Sequence, residues 1–230
     1  MLDEYKKFTK YQFIEANVIR NSKDPRVESH KVDFESLKIT GEKLNTKDCW
    51  QQRRNWVLGR GQVYDDLAYL IEAANVRNEL SLATFKPAEI IDFIAQPVSG
   101  EWDQEKVLKI QQESRQRELF DEWEPVKLTK SLNKVPWKFS YRLRDAKGKE
   151  STMMIEDWEI GALYWNCLKD CGVPEAAVKK VREKYFDLFC SKDLYLYLGT
   201  TREWHGRGKN PFVVIGVFWP PYQNQQDLFL

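Results

Sequence analysis

The residues of this chain best suited to chemistry are cations interleaved with aromatic rings. Trp137-Lys138-Phe139-Ser140-Tyr141-Arg142-Leu143-Arg144 alternates strictly. In a strand this puts aromatic and aliphatic side chains on one face and mainly cationic ones on the other. Lys138, Arg142 and Arg144, with Lys147 and Lys149 in the turn that follows, form a surface able to track a phosphate backbone. A second basic segment, residues 200–210, carries Arg202, Trp204, His205, Arg207 and Lys209. Folded over the same sheet, it would add an aromatic platform suited to single-stranded or distorted DNA or RNA. The plainer reading is an outward strand face charged for solubility and against edge pairing. Asp157 and Glu159, with Lys184 or Lys192, suggest a different chemistry, a carboxylate and lysine cluster holding a divalent metal in a nuclease. Their spacing departs from the strand-borne nuclease pattern, and Asp157 is well placed to cap a helix.

Other chemistry is poorly provided for. Cys49, Cys167, Cys171 and Cys190 lack metal-ligand spacing, so no zinc site is expected and they read as buried reduced thiols. His30 and His205 lie in polar segments expected to be exposed, and neither completes a recognisable nucleophilic triad. Gly59-Arg60-Gly61 and Gly206-Arg207-Gly208 are too short to cradle a phosphate, so no nucleotide cofactor is implied. Trp50, Trp56, Trp158 and Trp165 fall among apolar helix positions and read as core or interface residues. The balance leans away from an enzyme.

Behind Trp219-Pro220-Pro221-Tyr222 stands Gln225-Gln226-Asp227-Leu228-Phe229. Paired prolines hold a backbone extended, so this segment is expected to leave the body. With Gln first, Asp third and then Leu-Phe, it resembles the peptide by which bacterial proteins dock on the replicative sliding clamp. The resemblance covers these five of 230 residues. It implies that Gln225 fills a small polar pocket while Leu228 and Phe229 enter an adjoining hydrophobic cleft, with Asp227 at the constrained third position. The alternative is a segment packed on its own domain. A near-match, Gln116-Arg117-Glu118-Leu119-Phe120, lies in a charged helix-prone stretch where Leu119 and Phe120 are more simply core.

The elements that must position these residues are of mixed type. Tyr11 to Arg20 and Leu37 to Thr40 suggest strands of a small β unit. Thr46 is a candidate N-cap for a helix carrying Trp50, Arg53, Arg54 and Trp56, interrupted at Gly59 to Gly61 and resumed from Val63 to Ala74. Pro87 is expected to start another helix, with Ile90, Ile91, Phe93 and Ile94 inward, ended by Pro97. Residues 102–124 are acidic and helix-prone, whereas residues 127–149 carry eight Lys or Arg against the single Asp145. That switch marks a subdomain border near Pro125. Beyond it come a hairpin (Trp137 to Arg144, Ser151 to Glu156), a helix capped by Asp157 and closed by Gly172, and a helix from Pro174. Strands at Asp193 to Gly199 and Pro211 to Trp219 follow. The expected class is α+β: a small β unit, a helical remainder of the first half, then a mainly antiparallel sheet of two hairpins with two intervening helices. The expected units are 1–125, 126–222 and a tail, 223–230.

Composition sets the outer bounds. Lys and Arg number 36 against 35 Asp and Glu, a formal charge of +1, so attraction to nucleic acid must come from local patches. No apolar run approaches the ~20 residues that span a bilayer, and Met1 to Lys7 lacks a secretion signal's hydrophobic stretch. The expectation is a cytoplasmic protein without a membrane partner. The leading functional expectation is a DNA-associated adaptor that touches nucleic acid with its basic sheet face and docks on the sliding clamp with its tail. A structural or regulatory subunit of a larger protein assembly is the alternative, and a metal-dependent nuclease a further one.

Overall fold

The computed structural model describes residues 8–102 and 133–223. Its class is α+β, with mostly antiparallel strands. The N-terminal part contains β1 (Gln12–Glu15), β2 (Val18–Arg20), β3 (His30–Val32) and β4 (Lys38–Lys43), paired β1 with β4 and β2 with β3. The expected first strand is thus two short ones, separated at Ala16-Asn17.

Helix α1 (Lys47–Val57) starts differently from expectation. Thr46 makes no side-chain cap bond, and Asp48, Cys49 and Trp50 have φ of 49, 51 and 66°. Left-handed backbone costs L-residues about 1–2 kcal/mol each. Here the turn accompanies two compensating contacts. Trp50 packs against Phe218 and Trp219, at 5.8 and 5.1 Å between ring centroids, and the Cys49 carbonyl accepts from Arg54 Nε at 3.1 Å.

Val63 and Tyr64 form a short strand, β5, rather than the resumed helix. Helix α2 (Leu67–Glu72) begins after Asp66, whose carboxylate accepts from the Tyr69 N–H at 3.1 Å. It widens into a π-helical turn over Ala73–Arg77 and ends at Asn78, φ 50°. Strands β6 (Leu82–Phe85) and β7 (Glu89–Pro97) follow.

The helix expected between Pro87 and Pro97 is therefore a strand. A short apolar run with several isoleucines fits either element by periodicity. Its partner, β8 (Trp137–Arg144), decides, pairing with it from Glu89↔Arg144 to Pro97↔Trp137 with one bulge between Ile90 and Asp92. This pairing brings residues from before and after Pro125 into one sheet.

Both expected hairpins are present, but in separate sheets. β8 pairs with β9 (Glu150–Met154) in the order β7-β8-β9, whereas β10 (Tyr195–Thr200) and β11 (Phe212–Phe218) stand in the order β11-β10-β6-β5. A parallel bridge, Ile155↔Val214, joins the sheets, with Glu156 N–H donating to Val214 O at 2.8 Å. Between the hairpins run α3 (Trp158–Cys171), capped by Asp157 and closed by Gly172 at φ 70°, and α4 (Pro174–Arg182) with Pro174 in its first turn. A second π-helical turn covers Glu183–Leu188. The core gathers Leu67 and Leu70, Phe139, Tyr141 and Leu143, Tyr164, Val181 and Tyr185, and Leu196, Leu198 and Val214, all buried. Trp158 departs from expectation, being 77% exposed at the start of α3.

The N-terminal part is held to this body by polar contacts. The Arg26 guanidinium donates to Thr200 O at 2.8 Å, and Glu28 accepts from the Ser81 N–H at 2.9 Å. Arg54 pairs with Asp193 at 2.8 Å. Among the described residues no helix is long and apolar enough to cross a membrane.

Candidate nucleic-acid interface

Strand β8 realises the alternation read from sequence. Phe139, Tyr141 and Leu143 are buried, while Lys138 and Arg142 are exposed on the other face. Charge, however, is not free along the whole strand. Arg144 pairs with Glu89 across the β7 ladder at 2.6 Å and with Glu150 across the β9 ladder at 2.9 Å. The hydrogen bond to Glu150, then the charge of Glu89, pushes the Arg144 pKa up. Arg144 is thus a cross-strand tie, because both neighbouring strands deliver a carboxylate to it.

Lys147 and Lys149 stand in the turn, where their N–H groups bond the buried Asp145 carboxylate at 2.9 and 2.8 Å. Gly148 holds φ 81° there, a conformation that favours glycine. Both side chains are exposed, but the turn packs on the start of α2, where Ala146 N–H donates to Asp65 O at 3.0 Å. Lys138 lies at the opposite end of the strand.

The loop of residues 200–210 lies at Lys138's end. Arg202, Trp204, Arg207 and Lys209 are exposed, Trp204 by 54%. The loop winds in tight turns, with His205 N–H donating to Thr201 O and Gly208 N–H to Trp204 O. At Gly208 a Cβ would approach the Trp204 Cβ to 3.3 Å, so a larger residue would crowd the platform.

His205 is buried, against expectation, because it latches the loop. Its Nε2 faces Asn78 Oδ1 at 2.8 Å and its Nδ1 faces Thr200 Oγ1 at 3.0 Å. The Asn78 amide nitrogen donates to Pro25 O, which assigns its oxygen to a His205 Nε2–H donor. Burial, then the positive charge of Arg26, lowers the His205 pKa. Asn75 adds a second latch, donating to Gly208 O at 2.6 Å and accepting from Gly206 N–H at 3.0 Å. Sequence reasoning missed Asn75, Asn78 and Arg26. Two asparagines near the end of a helical stretch were the available signal.

Between the loop and the outer face of β8–β9 is a cleft of about 350 Å³. Lys138, Ser140, Thr152 and Glu156 line it from the hairpin, and Glu203, Trp204 and Asn210 from the loop. Arg142 lies farther along the same face. Structure thus brings together Lys138 and Trp204, leaves Lys147 and Lys149 at the far end, and neutralises Arg144.

Several other residues named above have structural partners. Arg53 stacks over Tyr11 at 4.1 Å, and Arg60 over Trp56 at 3.6 Å. The Asp157 carboxylate accepts from Glu159 N–H at 2.9 Å and Tyr185 OH at 3.2 Å, and burial raises its pKa. Glu159 pairs with Lys10 at 3.2 Å. Among the described residues no three His, Cys, Asp or Glu side chains converge as a metal-ion set. All four cysteines are unpaired and half-buried, and burial pushes the Cys190 thiol up to about 11.

Approaching the tail, Trp219 stacks on Phe189 at 4.8 Å, Arg54 donates to Pro221 O, and Gln223 Nε2 donates to Gln51 Oε1 at 2.9 Å. Gln225, Asp227, Leu228 and Phe229 lie outside the described residues, as does the near-match at Gln116 to Phe120.

No curated protein and no solved structure matches this chain. Residues 1–59 match the family described as Domain of unknown function DUF8758. Residues 65–230, which include the hairpins, the loop and the cleft, match Domain of unknown function DUF8757, and the chain belongs to that family.

Proposed function

We propose that this protein is a DNA-associated adaptor, which binds nucleic acid at the β8 and loop surface and engages the replicative sliding clamp through Gln225 to Phe229. The observation that carries the first half is Trp204, exposed on a latched loop with Arg202, Arg207 and Lys209, beside Lys138, which has no ion-pair partner among the described residues. An aromatic platform among cations is the arrangement that holds unpaired bases while neutralising their phosphates. The second half rests on the motif, which follows Pro221 and Gln223, both bonded to α1. Two weak attachments on one chain gain from sharing the same DNA, so neither needs high affinity alone.

A labelled oligonucleotide titrated with the full chain and with Trp204→Ala tests the first half. Stacking is worth about 1–3 kcal/mol per base, so the variant should bind roughly tenfold more weakly with its melting temperature unchanged. Equal affinities would remove the loop from the interface. For the second half, a peptide of residues 220–230 should bind purified clamp and lose binding when Leu228 and Phe229 are both alanine; equal signals reject clamp docking.

A second reading, a subunit of a protein assembly, is favoured by the exposed cross-strand pair Ile14 and Ile39, with Val18, Ile19 and Phe34 also exposed on the N-terminal part. Such apolar exposure is characteristic of contact surfaces.

A further inference from the structure

The cleft beside Trp204 holds polar groups of both signs, and they are unspent. Lys138, Glu156 and Glu203 line it, and among the described residues none of their charged groups makes a hydrogen bond or ion pair. Asn210 uses its Oδ1 to accept from Phe212 N–H at 3.1 Å, which leaves its amide N–H groups available. Trp204 supplies a half-exposed ring at the same cleft.

Strand pairing places two of these groups. Ser140 pairs with Met154, and the next backbone bond runs from Ile155 N–H to Phe139 O at 2.8 Å. Beyond that bond the chain turns to β11, with Glu156 N–H donating to Val214 O, and Lys138 and Glu156 both line the cleft. A donor and an acceptor are therefore presented to the same cleft. Two carboxylates against one ammonium make the interior unsuitable for a phosphate, which the loop cations Arg202, Arg207 and Lys209 can take instead.

Resting on the reading that this surface binds nucleic acid, we infer that the cleft is a pocket for an unpaired guanine base, stacked on Trp204, with Glu156 accepting from its N1–H and N2–H groups and Lys138 donating to O6. Guanine is the base whose edge sets one acceptor next to two adjacent donors, the complement of an ammonium beside a bidentate carboxylate. A volume of about 350 Å³ falls within the range of small-ligand sites.

Inosine tests this without touching the protein, because it lacks only the N2 amino group. Fluorescence anisotropy should compare oligothymidine carrying one central guanine, one inosine or none, with the corresponding oligouridine set as the RNA arm. The guanine strand should bind on the order of tenfold more tightly than the inosine strand, the discrimination expected of one good bidentate contact. Glu156→Gln, which replaces one acceptor oxygen with a donor amide, should shrink that difference, and a difference as large as that of wild type would remove Glu156 from the base edge. Equal affinities for guanine and inosine strands in the wild-type protein overturn the guanine pocket while leaving nucleic-acid binding intact. Failure of every strand to bind overturns both readings.

Discussion

At the scale of single residues, the number of cations matters less than how many are unspent. Arg144 and Lys138 look equivalent in sequence, yet Arg144 is held by Glu89 and Glu150 while Lys138 has no anion among the described residues. Exposed pairs of this kind add little stability, but they reduce the gain available from a phosphate. The salt dependence of nucleic-acid binding should therefore separate Arg144 from the loop cations that take the phosphates. Arg207→Ala should reduce the slope of log affinity against log salt by about one, the loss expected for one phosphate contact. Arg144→Ala should leave the slope near wild type; the opposite ranking would place the contact at the turn end of the hairpin. Alternation told which side chains face out. It was silent on Glu89, which reaches Arg144 only because β7 is a strand.

At the scale of elements, the loop of residues 200–210 is the informative case. Its composition suggested a solvated basic connection, but His205, Asn75 and Asn78 fasten it to the end of α2. The imidazole lies among Arg26, Asp24 and Glu28, and its pKa falls from 6.5 through burial first and Arg26 second. The unfolded chain therefore takes up this proton at a higher pH than the folded one. The latch contributes fully above pH 6.5, and stability is lost as pH falls through the lowered folded value. Urea midpoints at pH 7.5 and 5.0 should drop more for wild type than for His205→Asn, whose side chain does not titrate in that window. Asp24 and Glu28 also have lowered pKa values, and as carboxylates they act at more acidic pH. Parallel drops in the two proteins would remove His205 as the cause.

At the scale of the whole molecule, Asp193 is the point where the N-terminal part, the body and the approach to the tail meet. It pairs with Arg54 at 2.8 Å and Lys86 at 2.6 Å and accepts from Tyr195 OH at 3.2 Å. Arg54 in turn donates to Pro221 O. Burial opposes ionisation of Asp193, but its bonds to Lys86 and Arg54 prevail and its pKa is lowered. Asp193→Ala would strand the buried guanidinium of Arg54, a loss of about 3–5 kcal/mol by analogy with broken buried pairs. Urea denaturation should show that loss, and limited proteolysis should cut first near residues 60–62, between the two family segments. A variant as stable and as resistant as wild type would show that the aromatic contacts of Trp50 suffice.

Local chemistry settles much of this protein without reference to distant segments. The β8 alternation, the Asp157 cap, the Gly172 stop and Pro174 start of the two later helices, and the β10 and β11 strands were legible because side-chain period, capping and turn preference act over a few residues. Tertiary structure decided that residues 89–97 are a strand and that His205 is buried. It also decided that Arg144 is neutralised and that Lys138, Glu156 and Trp204 share a cleft. Each of these depends on a partner distant in sequence, and periodicity within a segment carries no information about which distant segment will lie beside it.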